Sequence, residues 1–144
     1  MHVDLMDLEF AIEFTSSDYS FDNEAYVDSE TGKIYYSGDD IEEELPEDIF
    51  ENDKYLLIPT KHDLDLGKRV ALEFAAEVIP DELNNVYHMF GSRGAYSRFK
   101  SLLHSLECTE KWYAFENKAM RDAVIEWCKE HSIQYKIHEI NNTP

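Results

Sequence analysis

Apolar and polar positions follow different periods in the two parts of this chain. Residues 3–15 carry leucine and isoleucine at helical spacing, which predicts an amphipathic helix. Residues 25–28 and 33–36 are β-prone runs around a tight turn that contains Gly32, a residue able to take positive φ. These features predict a hairpin. The continuous apolar run 55–58, stopped by proline, predicts a third, buried strand that pairs with it.

From about residue 62 the pattern is helical. The sequence predicts one helix that ends at Pro80, a short helix over 81–89, and a longer one over 96–106 that follows a glycine-bounded break. A last helix runs toward Cys128. Residues 133–137 then alternate between apolar and polar, which is strand periodicity.

These elements predict an α+β fold, in which a small antiparallel sheet packs with four to five helices. The sheet consists of the hairpin and the third strand, and the C-terminal strand could join it as an added edge. No linker or internal repeat divides the chain, so we expect one domain over residues 1–140 and a frayed tail over 141–144.

Charge is the most unusual bulk property of the sequence. The net charge is −18 over 144 residues, and residues 1–60 contain 18 acidic and 2 basic side chains. Residues 61–144 contain 13 acidic and 11 basic side chains, and within them residues 91–121 have 6 basic and 3 acidic ones. The protein is therefore predicted to have an acidic half and a nearly neutral half with a small basic stretch.

Composition also limits the compartment and the class of protein. No run approaches the roughly 20 apolar residues of a membrane-spanning helix, and the N-terminus has acidic residues where a signal peptide is basic. Only two cysteines are present, in keeping with a reducing compartment. We expect a cytoplasmic protein of bacterial type that does not bind membranes.

The stretch from Gly91 to Lys100 is the first candidate binding site. A glycine-bounded turn at a helix start exposes backbone N–H groups that can hold an anion. The candidate residues of this basic turn-helix segment are Arg93, Tyr96, Arg98, Lys100 and Trp112. The two aromatic rings could stack on nucleic-acid bases. The alternative is that the glycines only turn the chain and the cations pair with the acidic half.

Motifs for catalysis or metal binding are weak. The sequence contains no G-x-S-x-G, Walker-type or H-E-x-x-H motif, so we expect no enzyme activity and no cofactor, with an undetected hydrolase left open. Four soft ligands form two close pairs, but they match no compact zinc module: His104, Cys108, Cys128 and His131. Buried cysteines and solvated histidines are the simpler interpretation.

Several sequence blocks resemble a bacterial uncharacterised protein family, number 0158, of small acidic proteins. The blocks are Ala25–Gly32, Leu45–Asp48, Tyr55–Pro59, Gly94–Lys100 and Trp112–Phe115, and the resemblance covers most of residues 1–132. It implies an intact domain but no reaction, since the family has no settled activity. It also implies that Arg98, Phe99, Lys100, Trp112 and Phe115 belong to the family's motif.

We therefore predict a non-catalytic binding or regulatory protein. It would contact another protein, through the basic turn-helix segment or through the acidic face, which attracts basic partners. One alternative is a nucleic-acid-binding regulator that uses residues 93–100, although the net charge of −18 disfavours a polyanion. A second is an acidic mimic of nucleic acid that inhibits a nucleic-acid-binding protein.

Overall fold

Contacts within the chain divide it into two compact units. The computed structural model describes residues 2–16, 23–38 and 41–137. The first unit comprises Met1–Leu64 and Arg121–Pro144, and the second comprises Asp65–Met120. The predicted tail over 141–144 lies outside the described residues, and the single domain over 1–140 stays a prediction.

The first unit begins with strand β1 (Val3–Asp4), which leads directly into helix α1 (Leu5–Thr15). Asp4 is the N-cap of this helix, and its Oδ1 accepts a hydrogen bond from the Met6 backbone N–H at 2.9 Å. The helix predicted over 3–15 therefore begins two residues later than the apolar period suggested. Its inward positions are buried as predicted: Leu5, Leu8 and Ile12.

Strands β2 (Glu24–Asp28), β3 (Ile34–Ser37) and β4 (Tyr55–Leu57) form an antiparallel sheet in the order β3-β2-β4. This confirms the predicted hairpin and third strand. Gly32 closes the hairpin turn with φ of 80°, and its N–H donates to the Asp28 carbonyl at 2.7 Å. A Cβ at this position would also lie 3.3 Å from the His2 carbonyl oxygen, so glycine suits the turn on both counts.

Alternation along β2 gives the sheet an inner and an outer face. Ala25 and Val27 are fully buried, and Ala25 pairs across the hairpin with Tyr36. The ring of Tyr36 contacts Phe14 of α1 with centroids 5.0 Å apart, so α1 covers this inner face. Tyr26 points to the opposite, outer face, because successive side chains of a strand alternate.

The C-terminal strand does not extend the hairpin sheet, contrary to the arrangement that the sequence suggested. Strand β5 (Tyr135–Lys136) pairs in parallel with β1, in a separate two-stranded sheet. The Val3 N–H donates to the Gln134 carbonyl at 2.9 Å, and both Val3 and Ile133 are buried. Burial of these apolar side chains explains why the short pairing forms here.

The second unit is helical. It contains α2 (Lys68–Val78), a 3-10 turn (Pro80–Glu82), α3 (Leu83–Met89), α4 (Ala95–Ser105) and the first half of α5 (Thr109–Glu130). Together with α1 these make five α-helices in the described residues, in agreement with the predicted α+β class. None of the helices in the described part of the chain combines the length and apolar character that a bilayer crossing requires.

Aromatic rings form the core of the second unit. Phe74 of α2 lies edge-on to Trp112 and Phe115 of α5, with centroid distances of 5.3 and 5.4 Å. Phe99 of α4 contacts Trp112 at 5.0 Å. The three aromatic residues of the family's motif, Phe99, Trp112 and Phe115, therefore pack with Phe74 and hold α2, α4 and α5 together.

Candidate functional site

Arg98 has a local structural role in the basic turn-helix segment. Gly94 precedes α4 in the left-handed conformation, with φ of 72°. One turn into the helix, the Arg98 guanidinium folds back and its Nη2 donates to the Ser92 hydroxyl at 2.5 Å and to the Arg93 carbonyl at 2.6 Å. These bonds hold the turn before the helix, so the position of Arg98 in the motif is explained without a ligand.

The three cations of this segment have different local surroundings. Arg98 and Lys100 are two positions apart on α4, a spacing that sends side chains to different sides of a helix. The Lys100 ammonium lies 5.5 Å from the ring centroid of Tyr96. Arg93 is exposed in the preceding turn, and within residues 2–16, 23–38 and 41–137 none of the three cations makes an ion pair.

Trp112 cannot take part in a stacking surface. Its side chain is only 1% exposed and contacts Phe74 and Phe99 on neighbouring helices. Tyr96 is half-buried, and its hydroxyl donates to Glu116 Oε2 at 3.3 Å. The predicted stacking of bases between the two rings is therefore corrected: Trp112 is a core residue.

The four candidate metal ligands lie in environments that differ from those of metal-binding side chains. Cys108 and Cys128 are buried, and burial raises the pKa of the Cys128 thiol to about 11. His131 Nδ1 lies 2.9 Å from the Trp127 carbonyl oxygen. His104 is exposed. Within the described ranges, no group of three or more His, Cys, Asp or Glu side chains is placed to hold a metal ion.

A different surface stands out in the first unit: an ordered acidic turn that presents an exposed phenylalanine. Residues 42–53, called here the acidic segment, contain seven carboxylates and no basic residue. Ile49 N–H donates to the Pro46 carbonyl at 3.2 Å, and Asn52 N–H donates to the Asp48 carbonyl at 2.9 Å. Ile49 is buried, whereas Phe50 is 80% exposed.

Two carboxylates of the acidic segment accept hydrogen bonds: Glu43 from the Tyr36 backbone N–H at 3.0 Å, and Asp48 from the Asn52 side chain at 3.2 Å. In the part of the chain that the structure describes, none of the seven makes an ion pair. The adjacent cation, Lys54, lies 3.6 Å from Asp28 and 3.8 Å from Glu30 instead. Because no cation neutralises the segment's carboxylates among the described residues, the segment has a negative potential. The carboxylates also repel one another, which costs free energy that a basic partner would recover.

Asp28 and Tyr26 are two titratable residues of β2 whose pKa values shift in opposite directions. Burial alone would raise the pKa of Asp28, but hydrogen bonds from the backbone N–H groups of Glu30 and Thr31 lower it. The Tyr26 hydroxyl donates to Glu24. Burial and this hydrogen bond together raise the pKa of Tyr26 to about 12, so it stays neutral.

Sequence reasoning identified the acidic half but missed Phe50 and Leu57, which is 57% exposed. A signal was present for Phe50. Ile49 and Phe50 are adjacent inside an acidic turn, and two neighbouring side chains in a turn rarely both reach the core. The predicted helical turn at Leu45–Asp48 is observed as part of a hydrogen-bonded turn instead.

Comparison with known proteins adds one finding. No curated protein matches the chain, and no solved structure matches it. The model of an uncharacterised protein family (UPF0158) matches residues 3–144, nearly the full length. The chain therefore belongs to the uncharacterised protein family UPF0158.

Proposed function

We propose that this protein is a non-catalytic binding or regulatory protein whose acidic segment contacts a basic partner protein. The observation that carries the proposal is the run of seven carboxylates at residues 42–53, four of them on a hydrogen-bonded turn, none of which forms an ion pair with a described residue. A complementary positive surface would relieve their repulsion. It would also steer diffusional encounter, which speeds association at low salt.

The proposal is tested by neutralising part of the segment and keeping an equal change elsewhere as a control. The segment variant carries E47Q, E51Q and D53N. The control variant carries E77Q, D81N and E110Q, three exposed carboxylates of the second unit. Both variants change the net charge by the same amount. Any difference in binding between them therefore depends on where the removed charges lie.

Affinity capture from an extract of the source cells, followed by titration of the purified captured protein, is the measurement. We expect the segment variant to lose the partner, the control variant to keep it, and binding to weaken as salt screens the charges. Equal binding by all three proteins would refute the proposal. If the captured partner also binds nucleic acid, displacement of that nucleic acid by the wild type would favour the mimic form of this function.

Nucleic-acid binding through residues 93–100 remains a second candidate. Arg93 and Lys100 are exposed, and they make no ion pair with any residue that the structure describes. Because Trp112 is buried, Tyr96 is the one of the two proposed rings that could still stack on a base at this site. Fluorescence anisotropy with a labelled single-stranded oligonucleotide tests it: binding should weaken steeply with salt and be lost in the variant R93A/K100A. Binding that survives this variant would exclude the site.

A further inference from the structure

We propose that Phe50 and Leu57 are the apolar anchor of this interface, and that its occupant is a peptide segment of a partner protein that carries both apolar side chains and lysine or arginine. The inference rests on the proposed function, because it takes the acidic segment to be the docking surface. It adds a specific contact point and a chemical description of the partner.

The two anchor residues lie on the same face of the sheet. Leu57 is the register partner of Tyr26 in the pairing of β4 with β2, so both side chains point to the outer face. The Phe50 ring contacts the Tyr26 ring edge-on, with centroids 6.0 Å apart. Phe50 and Leu57 therefore flank the same tyrosine, on the side of the sheet opposite α1.

The exposure of this pair is large for apolar side chains. Phe50 is 80% exposed and Leu57 57%, whereas Tyr26 beneath them is 7% exposed. An exposed phenylalanine adds apolar surface that a partner would remove from water on binding. Aromatic side chains in the middle of an interface often contribute a large share of the binding free energy.

The backbone holds Phe50 in place before any partner binds. The turn is closed by the Ile49 and Asn52 hydrogen bonds, and the Asn52 side chain donates to Asp48 Oδ2 at 3.2 Å. Ile49, next to Phe50 in this turn, is buried. A preorganised aromatic anchor loses little conformational entropy on binding.

The charge around the anchor determines the chemistry of the occupant. Glu47, Asp48 and Glu51 flank Phe50 in the chain, and the nearby Lys54 is engaged by Asp28. A second copy of this chain would bring the same carboxylates against them, which is unfavourable. A segment with basic side chains beside its apolar ones would instead pair with these carboxylates while it covers Phe50.

Selection from a random peptide library on the immobilised protein tests the inference. We expect enriched peptides to combine apolar and basic residues. Their affinity, measured by fluorescence anisotropy, should fall by about tenfold or more with F50A. The matched control is F10A, since Phe10 on α1 is also exposed, at 66%, and also contacts a tyrosine ring edge-on, Tyr36 at 6.3 Å. The control should bind within about twofold of the wild type.

The peptide selection would overturn the inference in any of these cases: no enriched peptide, enriched peptides without basic residues, F50A binding like the wild type, or F10A losing as much affinity as F50A. Circular dichroism must show that F50A and F10A fold like the wild type. If F50A does not fold, L57S takes its place as the anchor variant. A dimer in sedimentation that F50A dissolves would identify a second copy as the occupant and likewise refute the inference.

The same peptides separate this inference from the proposed function. If the segment variant E47Q/E51Q/D53N loses the peptide while F50A and L57S keep it, the acidic segment is the docking surface and the anchor is wrong. If the segment variant binds like the wild type, the proposed function itself fails.

Discussion

Replacement of Trp112 by alanine is the sharpest test of the structure of the second unit. The ring is 1% exposed and lies within 5.3 Å of Phe74 and 5.0 Å of Phe99, both edge-on. Its Nε1–H is buried and has no hydrogen-bond partner among the described residues. The substitution therefore removes a large apolar contact and one unsatisfied donor.

The expected cost follows from these contacts. A buried tryptophan removes about 250 Å² from water, which at about 25 cal/mol per Å² gives an upper bound of about 6 kcal/mol. Loss of the unpaired Nε1–H returns about 1–3 kcal/mol. We expect W112A to lower the free energy of unfolding by about 3–5 kcal/mol, the range typical of such truncations in cores.

W112F is the matched variant, because it keeps an aromatic ring against Phe74 and removes the unpaired donor. It should lower the free energy of unfolding by less than about 1 kcal/mol. Urea unfolding followed by circular dichroism measures both values. A loss below about 1 kcal/mol for W112A would mean that the ring is not in the core, and a large loss for W112F would mean that Nε1 has a partner.

Two further predictions concern titratable groups of the first unit. The pKa of Asp28 lies below 3.8, because hydrogen bonds from Glu30 and Thr31 and the attraction of Lys54 outweigh the effect of burial. D28N should therefore lower the free energy of unfolding by about 1–3 kcal/mol at neutral pH. The difference from the wild type should vanish as the pH falls through the lowered pKa of Asp28. Urea unfolding at several pH values measures this, and a difference that persists in acid would contradict it. Burial raises the pKa of Cys128 to about 11, so in a variant without the other cysteine the thiol should react with Ellman's reagent only on unfolding; rapid reaction of the folded protein would contradict its burial.

Local patterns in the sequence predicted most of the fold. The hairpin was predictable because Gly32 permits the turn and the flanking runs are β-prone. Helices α2 to α4 were predictable from their apolar period and from Pro80 and the glycines between them. The pairing of β1 with β5 was not, because a ladder of two residues at opposite ends of the chain leaves no local pattern.

The candidate site was harder to predict than the fold. Charge counts located the acidic half, because they do not depend on side-chain orientation. The exposure of Trp112 could not be inferred, since it depends on Phe74 of another helix. The partner of Arg98 could not be inferred either, because its guanidinium donates to a backbone carbonyl, that of Arg93.

We propose that the acidic segment, and not the overall charge of −18, attracts the partner. Stopped-flow association rates of a selected basic peptide, measured over a range of ionic strength, test it directly. We expect E47Q/E51Q/D53N to lower both the association rate and its dependence on salt, and E77Q/D81N/E110Q to leave both near the wild-type values. Equal changes in the two variants would contradict it, because the net charge alone would then explain the binding.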